Sequence, residues 1–488
     1  MNRFDMLSET VSWIAVAPQL FLLLTVFAVL GYDLAARPKS KDVHAFLTAL
    51  GVGLSGVAVA EQYRRSYNGT LDGLTSFSQM LILDGSSILV NGALIVVLAL
   101  GLAFAWPMIT GMGTYGAETI ALMLLSTVGF MLMGSSLNLM MLFIGLEIGS
   151  ISLYVLAGIA REKTLADEAS VKYFLLGSFA SALFVYGVAL FYAATGSVQI
   201  TAYFEIFQGL VNTKPSLLLV SLALMVVGLL FKVTAAPFHS WAPDVYQGAP
   251  AGVTGFMSAA AKIGGFAGLM RILYLGFSQL ADTWQPLIAA IAAFSIVLGT
   301  LLAISQEDVR RMLAYSGVAH AGFILVGVAS GRAALREVMF YIGVYSIQLV
   351  AAFGITSLVS GAASSGSARS EYVGLGKRSP FLAGSLALVM IGMSGMPVTS
   401  GFIAKFGMFQ VAWTQGFAWL VLVALVASVA AFFFYLRVVV DMFMRDADDD
   451  TEVAVGYPAR VALLSVGVVT ILLGIRHGLL LDFISKIL

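Results

Sequence analysis

Runs of about twenty apolar residues recur from one end of the chain to the other. A run of that length crosses the roughly 30 Å hydrocarbon core of a bilayer as a helix. Lipid offers a backbone no partners, so spanning segments must be helices or closed barrels. The runs cover residues 13–31, 43–60, 86–106, 117–134, 137–159, 169–194, 216–236, 251–277, 285–304, 309–330, 333–360, 380–411, 417–441 and 459–484. They predict an all-α polytopic membrane protein with about 14 transmembrane helices. Span 12 is overlong and carries "SGMPVTSG" inside it. An even number of crossings puts both termini on one face. With the termini outside, the inside loops hold Arg37, Lys39, Lys41, Arg161, Lys163, Arg310 and Arg311 and more positive charge than the outside loops, as the positive-inside rule prefers. The Gly/Ser-rich loop at 361–379 reads as a flexible inside connection, and "RDADDDTE" at 445–452 as a solvated turn.

Composition agrees and excludes several function classes. Only 11% of the residues are charged, where a soluble chain carries roughly 25%. Net charge is +0, so no basic surface points to nucleic acid. With no cysteine there is no disulfide and no thiolate site for a metal or an iron–sulfur cluster. The histidines His44, His239, His320 and His477 lie too far apart for a local metal motif. No GxxxxGK[ST] phosphate loop occurs. The first run is too long for a signal-peptide core and reads as a retained helix.

Against this apolar background the charges inside spans stand out: Glu147, Lys172, Lys232, Lys262, Arg271, Lys405 and Arg437. A charge at a helix centre costs about 2.5–3.5 kcal/mol on insertion scales. Some can snorkel or pair for structure, and Arg271 and Arg437 near span ends suit that reading. Glu147 and Lys262 have no water interface close by in sequence. A row of titratable groups through a membrane points to a proton or ion path.

The chain also repeats itself. Lys232 lies near Pro237 in span 7, and Lys405 near Pro397 in span 12, so both spans read as broken helices. A shift of about 173 residues carries Lys232 onto Lys405 and Glu147 onto His320 (from the numbering). Lys172 and Lys262 land on Tyr345 and Tyr435 under the same shift. The shift is five spans, an odd number, so it predicts two inverted repeats, spans 4–8 and 9–13. Paired broken helices in two halves mark the transport site of secondary transporters. The expected divisions are 1–115, 116–277, 278–445 and 446–488.

Four stretches in order carry a family resemblance: "EASVKYFLLGSFASALFVYGVAL" (168–190), "PFHSWAPDVYQGAPAGVTGFMSAAAKIGGF" (237–266), "DVRRMLAYSGVAHAGF" (308–323) and "SGMPVTSGFIAKF" (394–406). They resemble the antiporter-like membrane subunits of respiratory complex I. The "PDVYQGAP" form and a lysine at Lys405 are more similar to the N type of bacterial NADH:quinone oxidoreductase than to the L or M types. Gly317 stands where the family more usually has serine.

The resemblance implies a proton channel with no redox centre of its own, set in the cell inner membrane with both termini periplasmic. NADH, FMN, iron–sulfur clusters and quinone would belong to partner subunits, both membrane and peripheral. By the family pattern Glu147 pairs with Lys232, Lys262 is the central relay and Lys405 leads to the outer exit. Lys172 would sit near the glutamate, and His320 on the polar axis between the halves. The residue types suit the task. Burial can shift a lysine by about 3–5 pKa units, and a carboxylate about 4 Å away shifts it back by a comparable amount. A moving Glu147 could thus switch a lysine between holding and releasing a proton. Moving one charge against 100 mV costs about 2.3 kcal/mol, within that range. Two other readings remain: a subunit of a multisubunit cation/proton antiporter or membrane-bound hydrogenase, and a scaffold whose charges are structural.

Overall fold

The computed structural model describes residues 12–38, 40–69, 73–111, 115–160, 164–202, 215–360, 367–446 and 452–488. Lys39, Arg161 and Lys163, most of the 445–452 acidic run and the 361–366 part of the Gly/Ser-rich loop lie outside them. The helices in chain order are α1 (Trp13–Ala36), α2 (Asp42–Tyr67), α3 (Gly85–Gly111), α4 (Tyr115–Ser135), α5 (Leu139–Ala157), α6 (Thr164–Thr195), α7 (Pro215–Lys232), α8 (Trp241–Gly248) and α9 (Ala251–Met270). They continue with α10 (Ala281–Ile304), α11 (Val309–Ala329), α12 (Leu335–Val359), α13 (Leu375–Arg378), α14 (Pro380–Ser394), α15 (Ser400–Thr414), α16 (Ala418–Met444), α17 (Tyr457–Ile475) and α18 (Gly478–Ile487). A hairpin of β1 (Leu74–Ser76) and β2 (Leu81–Leu83), unforeseen from sequence, joins α2 to α3.

Among the described residues twelve helices are long and apolar enough to cross a membrane. Two shorter apolar helices, Ser216–Lys232 and Pro380–Ser394, fall at spans 7 and 12. Each is continued after a break, by α8 and α15. The fourteen apolar runs are therefore all helical, two of them interrupted. Span 14 needs correction. It ends at Ile475, and Arg476 and His477 turn the chain into a separate helix, α18.

Helix starts follow local chemistry. The Asn138 side chain caps α5 by accepting from the backbone N–H groups of Met140 and Met141 at 2.9 and 3.2 Å. Asp308 caps α11 in the same way, accepting from Arg311 N–H at 2.9 Å. The 51–56 stretch, GVGLSG, has the glycine spacing of a dinucleotide loop, but it lies in the middle of α2 with no strand before it. There Gly51 makes room for Thr25, whose Oγ1 would lie 1.7 Å from an added Cβ.

The centre of the molecule is α9, buried at every residue from Gly252 to Met270. Its small residues let neighbouring backbones approach closely, the usual way to pack helices without a hydrophobic drive between them. A Cβ on Gly265 would come within 2.6 Å of Val233, at the first helix break. The peripheral helices instead turn Phe27, Phe46, Val57, Phe179 and Val429 outward, as lipid contact requires.

Arg271 and Arg437 prove to be paired. Arg271 donates to both Asp84 carboxylate oxygens, at 2.5 and 2.6 Å, and to Gly134 O. Arg437 bonds Glu307 and the Ile304 carbonyl.

Candidate proton path

The two breaks supply what an intact helix withholds, namely free carbonyls. After Lys232 the chain leaves the helix. Thr234 takes the left-handed conformation (φ 63°), Ala236–Pro237 is cis, and α8 starts at Trp241. Each freed group that bonds finds an internal partner, as burial demands. Ser295 Oγ accepts from Ala236 N–H at 2.9 Å, and Trp241 Nε1 donates to Phe231 O at 3.3 Å. Lys262, one helix away on α9, donates to Val233 O at 3.1 Å and to Thr234 Oγ1. It is 1% exposed.

The second break runs from Gly395 to Thr399, with Gly395 at φ 85° and Val398 at φ 76°. Lys405, on α15, reaches back and donates to Ser394 O at 2.9 Å. The ring of Phe323 lies 4.6 Å beneath its Nζ. Thus two buried lysines, on α9 and α15, each hold a carbonyl released by a broken helix. The registers differ, however. Lys232 precedes its break and Lys405 follows its own, so the simple shift does not superpose the breaks. It carries Pro237 to Gln410, inside α15.

His320, on α11, lies between the lysines and is buried. Its Nδ1 is 2.9 Å from Tyr341 OH and its Nε2 3.2 Å from Tyr435 OH. Its ring stacks on Tyr345, centroids 4.1 Å apart. Tyr435 also bonds Ser316. Gly317 explains how Lys262 comes near this group. A Cβ there would lie 3.6 Å from Lys262 Nζ and 3.5 Å from Tyr345 OH. On the far side, Phe323 packs edge-on to His320 and under Lys405.

Lys232 is placed differently. It is 2% exposed and, among the described residues, its Nζ has no hydrogen-bond partner. The rings of Tyr154 and Tyr173 flank it, each 5.3 Å away. Glu147 is half-buried on α5 and accepts a hydrogen bond from Ser181 of α6. No ion pair joins Glu147 to Lys232. Lys172 lies apart from both. Its side chain is 40% exposed and pairs with Glu168 at 2.7 Å and Asp244 at 2.8 Å. Asp244 also binds Arg311 at 2.7 Å, which ties α6, α8 and α11 together at one surface.

Sequence reasoning singled out the charges but not their neutral neighbours. Tyr154, Tyr173, Ser181, Thr234, Tyr341, Tyr345 and Tyr435 carry no local signal, since hydroxyls are common in membrane helices. One trace was available. The shift of about 173 residues read from the sequence lands Lys172 and Lys262 on Tyr345 and Tyr435, the two tyrosines that touch His320 on its face and at Nε2. Among the described residues no three His, Asp or Glu side chains cluster to hold a metal.

Residues 136–431, which include both breaks and Glu147, Lys172, Lys232, Lys262, His320 and Lys405, match the model of the NADH:quinone oxidoreductase/Mrp antiporter transmembrane family. The chain belongs to this family. NADH-quinone oxidoreductase subunit N of Parafrankia sp. is 39% identical over 97% of this chain and 94% of its own length. The subunit N of Mycobacterium tuberculosis is 43% identical over 77% of this chain and 72% of that one, and the subunit N of Trichlorobacter lovleyi is 35% identical over 98% of each. Within the family, therefore, the chain is of the N type. A chain of respiratory complex I from Thermus thermophilus superposes with a TM-score of 0.78 at 29% identity, covering 95% of this chain and 98% of that one. A chain of an archaeal membrane-bound sulfane sulfur reductase gives 0.86 at 26%, covering 97% of each. A chain of the Mrp complex from Dietzia gives 0.85 at 20% identity, covering 97% of each, a likeness of fold.

Proposed function

We propose that this chain is the proton-translocating N-type membrane subunit of NADH:quinone oxidoreductase, a translocase subunit that carries no redox centre. Membership of the N type supports the assignment, and a buried series of exchangeable groups supports the mechanism. In this reading Glu147 sets the charge state of Lys232, Lys262 relays the proton across the middle, and His320 passes it between the halves. Lys405 hands it to the outer exit. Lys172, with Asp244 and Arg311, serves the inner mouth. The protein's own work is to hold the groups in order, keep them from lipid and let charge move along them. Electron transfer from NADH to quinone, with its FMN and iron–sulfur clusters, belongs to partner subunits.

The observation that carries the reading is that Lys262 and Lys405 each donate to a carbonyl freed by a broken helix, with His320 between them. Such backbone at membrane depth is tolerated only where protein or a polar cavity surrounds it. We place the chain in the cell inner membrane with both termini periplasmic, and take 116–277 and 278–445 as the two repeats.

The test is Lys405→Ala in the assembled complex, reconstituted in vesicles. Proton uptake coupled to NADH oxidation is expected to fall while the complex still assembles. Uptake at the parental rate and stoichiometry would remove Lys405 from the path.

A further inference from the structure

A second site lies outside the proton path. A cavity of about 510 Å³ opens between α2, α3, α12 and the C-terminal helices, with an almost wholly apolar lining. That is within the roughly 300–1,000 Å³ of ligand-binding clefts. On α12 it runs from Met339 to Ile347, about 12 Å of helix at 1.5 Å per residue. On α3 it runs from Ile88 to Val96. The groove thus covers about one leaflet of a core roughly 30 Å thick. A partner's spanning helix would need a groove through both leaflets.

Its shallow end is polar. Val90, Met270 and Met339 line both the groove and a smaller cavity that holds Ser86, Asp84, Arg271 and Arg332. Arg271 and Asp84 neutralise each other. The Arg332 side chain is exposed and has no ion-pair or hydrogen-bond partner among the described residues. This end lies on the face that carries both ends of the described chain. Ser12 bonds Ser76 there, and Ile487 packs on Gly85. The amphipathic helix α18 forms one wall, with Leu480 and Phe483 facing in.

We propose that this groove binds an anionic glycerophospholipid, an acyl chain along Met339–Ile347 and the phosphate at Arg332. The unpaired cation at the water level selects the charge, and the one-leaflet length selects a lipid tail. A guanidinium bonds a phosphate by charge-assisted, often bidentate hydrogen bonds, the contact a phosphodiester head group offers.

Two glycines allow the groove to be filled without disturbing its walls. An added Cβ at Gly343 or Gly56 would meet nothing within 4 Å. The intact complex, in membranes doped with phosphatidylglycerol bearing a photoreactive acyl chain, is irradiated and the cross-linked peptides are mapped by mass spectrometry. Peptides spanning 56–63 and 339–347 should be labelled. Gly343→Phe, or Gly56→Phe as an independent block, should abolish that labelling while NADH oxidation continues. Arg332→Gln should lower labelling by phosphatidylglycerol by up to about fivefold, the factor for the ~1 kcal/mol of an exposed ion pair. Labelling by an otherwise equal phosphatidylcholine probe should not change. Labelling indifferent to all three substitutions overturns the proposal. So does a groove that cross-links to a neighbouring subunit and excludes the probe. The readout is independent of proton pumping, so either proposal can fail alone.

Discussion

Replacing Lys262 separates a relay from a structural ion. Lys262→Met keeps an unbranched chain of similar length and removes the ammonium. Two contacts go with it, to Val233 O at 3.1 Å and to Thr234 Oγ1. An unsatisfied buried carbonyl costs about 1–3 kcal/mol. Against that, the variant no longer buries a charge, an effective penalty of several kcal/mol. The two effects oppose, so the fold should survive and the complex should assemble. Lys262→Arg is the informative partner. It keeps the charge and can donate to Val233 O, so a purely structural role would be rescued. A guanidinium keeps its proton up to about pH 12 or beyond. Releasing it at pH 7 costs some five units, about 7 kcal/mol at 1.36 kcal/mol per unit. A relay step so penalised slows by about 10⁵, so Arg should fail as Met does. The assay is NADH-driven proton uptake in vesicles, with assembly followed on native gels. An assembled Lys262→Arg complex that pumps at the parental rate would refute the relay role.

Further outcomes follow from other contacts. Lys232→Ala should lower quinone-coupled NADH oxidation and proton uptake with assembly intact, since no hydrogen bond is lost; an assembled variant at parental turnover would take Lys232 off the path. Glu147→Gln should impair activity and Glu147→Asp should keep part of it, because a carboxylate remains near Ser181; equal activity in the Gln variant and the parent would count against the charge switch. Tyr345→Phe removes a buried hydroxyl that has no hydrogen-bond partner among the described residues, so thermal stability should hold while proton uptake falls; unchanged uptake would mean that its hydroxyl carries no proton. Arg271→Leu should sharply reduce the assembled complex on native gels, since losing one partner of a buried ion pair costs about 3–5 kcal/mol; normal assembly would show the Asp84 pair to be dispensable.

The fold was legible because its main determinants are local. Apolar length sets each span, and Pro237 and Pro397 mark the two interruptions. The boundaries missed where amphipathic chain extends a helix. Thr164–Leu165 begins α6 ahead of its apolar run, so Lys172 sits near the water and joins Glu168 and Asp244 instead of Glu147. The buried charges were legible for the same reason, since a lysine in a run of leucines is visible from sequence alone. What each buried ammonium bonds was not. Lys232 ends α7, whereas Lys405 begins one turn into α15 and must fold back to Ser394. Those contacts depend on how the chain folds back at each break and on which helix packs beside it. The tyrosines around His320 were hidden for a further reason. They are neutral, and only three-dimensional proximity gives them a role.

The placement of the three lysines implies a division of labour. Lys262 and Lys405 each have a backbone carbonyl that no helix claims. A charged donor bonds such an oxygen about twice as strongly as a neutral one. Protonation therefore tightens the grip of each lysine on its break, and release loosens it. By linkage the converse holds, and a shift of either break changes the cost of the proton. Lys232 has no carbonyl, only the faces of Tyr154 and Tyr173 and a carboxylate beyond ion-pair reach. Ring faces stabilise a desolvated cation by about 2 kcal/mol, less than the cost of burying it. An ammonium at Lys232 is thus the least compensated of the three, and a modest approach of Glu147 changes its balance most. The site best suited to respond to an outside event is Lys232, and the two break-bound lysines are suited to carry that response across the membrane.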